Sequence, residues 1–525
     1  MAEISERNEA KKDQSTSEEL DDVFKNHIFE FGRYQHVLYW LTYCLIIPSG
    51  LQFGLMVFVT GTPTFQCSDA NSTCEINKCC KDCTSYAFEP KTFNSIVSEW
   101  NLICDRGGKA ATAQSIFIGG ILVGSFVSGI FSDVYGRRLC IYLSLVIMVI
   151  GTGAAAAADC LSLFSFLRFF MGFSVAGIML SQYVYILELV GPSKRTMAGK
   201  LTDFGWVVGA CYTVMLAYFI RDWRILLIVA SLSAAVLLFT FKVVPETARW
   251  LLSHDKIDEA HAVLMKCADK KKVDPEVIRT ILKDVRENEK VISRPKVSVL
   301  DLIKTAKMRR RTLILCFNWF VVGAVYFGFV LYVTNLSGNI YLNFFLMSVI
   351  DLVHTPVVWY GLQRFGRRVT YFTILMFGGI ACLLVLVVPK EYTSLVTTIA
   401  LLGKFCDTAA FSTIYLYTTE LYPTVIRNTA MGTSSLCARV GGMIAPFIVM
   451  LAQLPGISLT LPIVIFGALI VAAAVSSLWL PETLRSSMHQ TIEEEEAAPE
   501  DYSFPCCRKP LPEGKEDYEL QQTAE

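Results

Sequence analysis

Twelve mostly apolar stretches constrain the fold of this chain more than any other feature. They lie at roughly 36–59, 111–132, 139–158, 161–190, 197–219, 222–243, 312–335, 338–362, 369–389, 393–419, 428–452 and 459–480. About 20 apolar residues in a helix cross the ~30 Å of bilayer hydrocarbon, and the helix satisfies its own backbone polar groups on the way. Mean hydropathy is +0.46 and only 18% of residues are charged. A soluble chain of 525 residues would instead divide into domains with polar surfaces. The 47 basic residues cancel the 47 acidic ones, so no basic domain marks a nucleic-acid partner. The expected fold class is an all-α membrane protein of twelve transmembrane helices. Residues 1–22 are polar and acidic and lack the features of a cleavable signal.

Short loops rich in Lys and Arg face the cytosol. Such loops hold Arg137 and Arg138, Lys194 and Arg195, the stretch 252–311, Arg364 with Arg367 and Arg368, and Arg427. Both termini are therefore expected inside, in a multi-pass plasma-membrane protein. The expected divisions are a cytoplasmic segment 1–35, a six-helix half 36–243 with an extracellular loop 60–108, a cytoplasmic helical loop 244–311, a second six-helix half 312–480, and a disordered cytoplasmic tail 481–525. In the loop 244–311, Ile257, Ala260, Val263 and Leu264, then Val277, Ile278, Ile281, Leu282 and Val285, recur at helical spacing.

The loop 60–108 collects Cys67, Cys74, Cys79, Cys80, Cys83 and Cys104 with the sequon Asn71-Ser72-Thr73. Six cysteines in an exterior loop imply disulfides, and the sequon implies glycosylation at Asn71. A zinc site from Cys79, Cys80 and Cys83 is the alternative, and the pairing is open among 15 connectivities. A second sequon at Asn335 abuts a span. In the tail, Cys506 and Cys507 are potential palmitoylation sites, with free thiols the simpler state.

The halves repeat one another. The strings VYGRR and FGRR end at Arg138 and Arg368. ELVGPSKR and ELYPTVIR set Glu188 and Glu420 seven residues before Arg195 and Arg427, and Pro245-Glu246-Thr247 returns as Pro481-Glu482-Thr483. The three offsets are 230, 232 and 236 residues (368 − 138, 420 − 188, 481 − 245), so six spans were duplicated. Two such halves about an axis are a transporter architecture, with substrate near the bilayer midplane between them.

GIFSDVYGRR, with Gly129, Asp133, Gly136, Arg137 and Arg138, resembles the loop signature of the major facilitator superfamily. FGRYQ at 31–35, SEWNLICD at 98–105, PETARWLL at 245–252 and GKFCDTAAFSTIYLYTTELYPTVIRN at 403–428 resemble its organic-ion transporter family, which holds organic cation, organic anion and carnitine/zwitterion carriers. The resemblance covers residues 20–485. It implies a gating role for Asp133, Arg137, Arg138, Glu188, Arg195, Glu246, Arg249, Arg367, Arg368, Glu420 and Arg427. Gln363 stands where the first half has Asp133, so the two gates should differ in strength.

Ionisable residues inside spans are costly and mark function by default. Asp203, Asp351, Lys404, Asp407 and Arg439 fall there, and Arg168 heads an Arg-x-x-x-Gly172 pattern, with snorkelling to the interface as its alternative role. Lys404 and Asp407 share a helix face. An ion pair among these residues could be structural; the functional alternative is a network that a charged substrate enters by replacing one partner. Aromatic faces attract amines, which adds Trp206, Tyr212, Trp319, Tyr326 and Phe327 to the candidate substrate site, with ordinary packing as the simpler role for each alone. In the resembling family, Arg at the place of Arg439 accompanies anion and carnitine carriers, whereas Thr355 stands about where the anion branch has Lys. A zwitterion would use Arg439 for its carboxylate and Asp351 for its ammonium. The expected function is alternating-access transport of carnitine-like zwitterions and organic cations, with organic anions as the alternative.

No catalytic constellation, metal site or cofactor motif supports an enzyme. GPSKRTMAGKL at 191–201 lacks the glycine and hydroxyl of a P-loop, and His354 is alone in its span. A receptor or channel is the rival class, against which the paired gate motifs argue. The membrane potential supplies ~2.3 kcal/mol per 100 mV for a cation, while a zwitterion would need Na⁺ coupling or exchange. The expected partners are a small organic ion and the lipid bilayer; oligomeric state is open.

Overall fold

The computed structural model describes residues 20–24, 28–69, 74–80, 83, 85–89, 93–268, 274–291, 298–389, 391–484, 489–498, 500 and 502. Asn71, Cys506 and Cys507 lie outside them. The first span is two helices, Arg33–Cys44 and Ile47–Thr60. The break falls just before Pro48, which has no N–H for the carbonyl one turn back and is accommodated only in a first turn. Spans 2 to 6 are Gly107–Tyr135, Arg137–Ala156, Leu161–Leu189, Arg195–Phe219 and Trp223–Ala235, the last continuing as a 3₁₀ turn to Lys242. Spans 7 to 11 are Ala306–Tyr332, Ile340–Phe365, Arg367–Leu384, Thr393–Leu421 and Arg427–Met450. Among the described residues, eleven spans are long and apolar enough to cross a membrane. The twelfth, Leu461–Ser477, is shorter but apolar throughout.

Spans 2 and 4 pack closely, as do spans 7 and 11, where a side chain at Gly441 would strike the Phe320 backbone. The halves meet along spans 2 and 11 and along spans 5 and 8. At one end of the bundle this seam is shut. Phe58 of span 1 stacks on Tyr341 with centroids 5.6 Å apart, Ser115 donates to the Met443 carbonyl at 2.6 Å, and Gln453 donates to Thr62 at 3.0 Å.

Over the shut end lies the cysteine-rich loop. Two short strands, β1 (Phe65–Cys67) and β2 (Tyr86–Phe88), pair antiparallel with Gln66 opposite Ala87. All six cysteines form disulfides, Cys67–Cys83, Cys74–Cys80 and Cys79–Cys104, which excludes the zinc alternative. The Cys79 amide donates to the Gln453 carbonyl at 3.1 Å, so the loop is moored to the second half.

At the opposite end, helices Ala248–Ser253, Ile257–Cys267 and Pro275–Val291 form a separate small core. Leu251, Leu264, Ile278 and Leu282 are buried there against Val23, Phe24 and Ile28 of the N-terminal segment. Asp21 ties that segment down through Arg195 at 2.6 Å and Arg249. The tail differs from the expectation of disorder over 481–525. Thr491 caps a short helix, Ile492–Ala497, and Glu495 and Glu500 both pair with Arg311, at 2.5 and 2.9 Å. Composition alone suggests a solvated acidic run; the basic cluster at the start of span 7 supplies its counter-charge. Arg168 does not snorkel: it is fully buried, with its guanidinium 4.3 Å from the Phe117 ring centroid.

Candidate functional site

The repeated motifs assemble two equivalent capping structures at the basic end. Spans 3 and 9 each begin just after a left-handed glycine, Gly136 (φ 108°) and Gly366 (φ 84°). In each, a glutamate carboxylate fills the space that a side chain there would take. The amides of Arg137 and Arg138 donate to Glu246, each at 3.1 Å, and those of Arg367 and Arg368 donate to Glu482 at 2.8 and 3.1 Å. A carboxylate on unpaired N–H groups at a helix start matches the positive end of the helix dipole. Burial pushes the Glu246 carboxyl up from its ordinary value, while the amides of Thr247, Arg138 and Arg137 act in the opposite direction.

Around each cap, an arginine joins the next span. Arg137 meets Glu188 at 3.3 Å and Asp133 at 3.0 Å, and Thr247 donates to Glu188 at 2.6 Å. Arg367 meets Glu420 at 2.7 Å, and Thr483 donates to Glu420 at 2.6 Å. Each set of contacts lies within its own half and braces that half internally. Arg249 lies outside this brace and holds Asp21 with Arg195, whose guanidinium also donates to the Leu187 carbonyl at 3.1 Å. Arg427, in the second half, is the counterpart of Arg195 by sequence.

Deeper in the bundle, three side chains from spans 7 and 10 converge on Asp351 of span 8. Tyr326 (span 7) donates to Oδ2 at 3.2 Å, Thr408 (span 10) donates to Oδ1 at 3.0 Å, and Lys404 Nζ lies 3.4 Å from Oδ1. Lys404 Nζ also sits 3.2 Å above the Tyr326 ring centroid. Phe53 of span 1 brings in the first half: its centroid lies 5.2 Å from Trp206, 5.9 Å from Tyr326 and 5.4 Å from Phe327. Phe411 closes the far side, 5.6 Å from Tyr326. The result is a carboxylate and an ammonium bounded by ring faces, an arrangement that suits an organic ammonium group. Lys404 is 1% exposed and Asp351 15%, so the pair is already formed and largely shielded. Asp203 of span 5 is not part of this cluster: its side chain is 64% exposed and pairs with Lys200 at 3.7 Å.

Asp351, Lys404, Trp206, Tyr326 and Phe327 are thus brought together. Trp319 lies behind them as a buried core residue, donating to Thr418 at 3.0 Å. Among the described residues no ring packs on half-buried Tyr212. Arg439 stands apart from the pair: its guanidinium donates to the Ser435 carbonyl at 2.8 Å and to the Ser435 hydroxyl at 2.5 Å, with no acidic partner among the described residues. Asp407 is fully buried, and neither carboxylate oxygen has a hydrogen-bond partner among the described residues. Three contributors escaped the sequence reading. Thr408 was legible, four residues after Lys404 and so on its face; Phe53 and Phe411 had no local signal that separates them from other apolar aromatics.

Two related six-helix halves, with a buried opposed charge pair in the second half, define a transporter of the major facilitator class. Residues 107–494 match the family model for sugar (and other) transporters. The chain is 35% identical over 521 residues to an organic cation transporter protein of Drosophila melanogaster, covering 91% of this chain and 94% of that one. It is 32% identical over 424 residues to solute carrier family 22 member 13 of Homo sapiens, covering 80% and 74%. In fold it is similar to the xylose transporter XylE from E. coli in an inward-open conformation, with TM-score 0.62 at 15% identity, covering 88% of this chain and 99% of that one. The chain belongs to the organic cation/anion transporter family of the major facilitator superfamily: it is a multi-pass membrane transporter of small organic ions, not an enzyme.

Proposed function

We propose that this protein carries organic cations and carnitine-like zwitterions across the plasma membrane by alternating access, with both termini in the cytosol. The observation that carries the proposal is Asp351, held by Lys404, Tyr326 and Thr408 and walled by aromatic rings from both halves. A quaternary or protonated amine takes Asp351 and the ring faces in place of Lys404. A zwitterion does so while offering its carboxylate to the displaced Lys404. Because Phe53 and Trp206 belong to one half and Tyr326 and Phe327 to the other, occupancy changes the contacts across the seam, which is how a ligand biases a two-state equilibrium. With the disulfide loop outside, the shut end is the extracellular one.

Arg439 supports the second reading. A half-buried guanidinium without an acidic partner suits a carboxylate, as an organic anion carrier requires. Uptake of a carnitine-like zwitterion, a quaternary amine and an aryl carboxylate, each with and without Na⁺, separates the two. Uptake of the first two supports the proposal, and Na⁺ stimulation confined to the zwitterion gives its coupling. Uptake of the aryl carboxylate alone overturns it. Arg439→Gln should lower carboxylate-bearing substrates selectively; equal uptake of all three by variant and wild type removes Arg439 from the site.

A further inference from the structure

Asp407 is the one member of the charged group whose chemistry the site above leaves unused. It is fully buried in span 10, and both carboxylate oxygens lack a donor among the described residues. An ionised carboxylate in that position is severely disfavoured, whereas the neutral acid is tolerated. The titratable and charged groups within electrostatic reach of it are Lys404 and Cys406 on its own helix, Tyr326 of span 7, Asp351 of span 8, and Tyr371 and Cys382 of span 9. Lys404 is the single cation among them, and it is engaged by Asp351. It is also three residues before Asp407 in the same helix, so its long side chain can swing from one carboxylate to the other.

We infer that Asp407 is an alternative counter-ion for Lys404, and that an organic cation is exchanged for a proton through it. With no substrate bound, Lys404 pairs with Asp351 and Asp407 holds a proton. When a cation takes Asp351, Lys404 turns to Asp407, and the Asp407 proton is released to the solvent. Counting charges, the empty state holds Asp351⁻, Lys404⁺ and neutral Asp407; the loaded state holds cation⁺, Asp351⁻, Lys404⁺ and Asp407⁻. Both sums are zero, so the buried region never carries a net charge. A zwitterion behaves differently, because its own carboxylate receives Lys404 and Asp407 keeps its proton. The inference rests on the assignment of Asp351 to the substrate ammonium.

The test uses the purified full-length protein in detergent, in weak buffer near neutral pH with an indicator dye, and titrates in tetraethylammonium, which itself cannot titrate. Bound ligand is counted in parallel with the radiolabelled cation. About one proton should be released per cation bound, and none by a trimethylammonium carboxylate. Asp407→Asn should abolish the release with cation still bound at saturation. Cation binding by the wild type without proton release overturns the inference and leaves the proposed function standing, as does release retained in Asp407→Asn. Failure of the cation to bind the wild type overturns both.

Discussion

Removing the ammonium of Lys404 should separate cations from zwitterions. In the empty carrier Lys404 neutralises Asp351 across 3.4 Å in a site where Lys404 is 1% exposed. At an effective dielectric of about 20, a pair at that distance attracts by about 5 kcal/mol. A substrate ammonium must replace this interaction, and much of it is returned to Lys404 by whatever carboxylate receives it. In Lys404→Gln the competing charge is gone, so a quaternary amine meets an unpaired Asp351. We expect its affinity to rise at least tenfold, about 1.4 kcal/mol, a conservative fraction of the pair energy. A zwitterion gains the same but loses its carboxylate partner, a charge-assisted hydrogen bond of about 1.5–3 kcal/mol, so its affinity should stay level or fall. The cation-to-zwitterion affinity ratio should therefore rise at least tenfold in competition binding on purified protein. Equal shifts of both ligands, or a fall for the cation, would refute the assignment of Asp351 and Lys404.

Gly366→Ala should destabilise the protein by about 3 kcal/mol, combining the left-handed backbone penalty with displacement of Glu482 from two amides. Gly338 also has positive φ (95°) but nothing near it, so Gly338→Ala is the control; equal thermal shifts would show that the glutamate cap contributes nothing. The Arg195 and Arg249 guanidiniums hold the Asp21 carboxyl below its usual value, against the opposing effect of burial. A depressed folded-state value stabilises above the unfolded-state value near 3.8 and is lost as pH falls through the folded one, so Asp21→Asn should lower Tm near neutral pH and show a shallower decline than wild type below about pH 4. Parallel Tm curves would contradict this. Glu495→Gln with Glu500→Gln leaves Arg311, 4% exposed, without its carboxylates and should cost about 3–5 kcal/mol. A Tm within error of wild type would mean that the tail contact is not formed.

Much of the scaffold was legible because the bilayer admits few solutions: apolar runs gave the spans, and duplicated motifs gave the halves. The capping motifs were legible as strings but not as geometry. Nothing in the spacing of Gly136 and Glu246 says that the carboxylate sits on the amides of the next helix, since 110 residues separate them. The charged residues of the site stood out because lipid excludes them, and the structure still divides them: Lys404 pairs with Asp351 and not with Asp407 on its own helix, and Arg439 stays with Ser435. Which aromatics line the site depends on helix rotation, so Trp319 and Phe53, alike in sequence context, fall on opposite sides of that division. The tail helix was missed because its stabilising partners lie about 185 residues away at Arg311.

Counterflow in proteoliposomes tests the central claim most directly. Vesicles holding purified protein and an excess of unlabelled tetraethylammonium are diluted into a trace of the labelled cation. An alternating-access carrier binding the cation at Asp351 should accumulate label above its final level and then release it, with the overshoot lost in Asp351→Asn. A monotonic approach to equilibrium by the wild type, or an undiminished overshoot in the variant, would contradict the account.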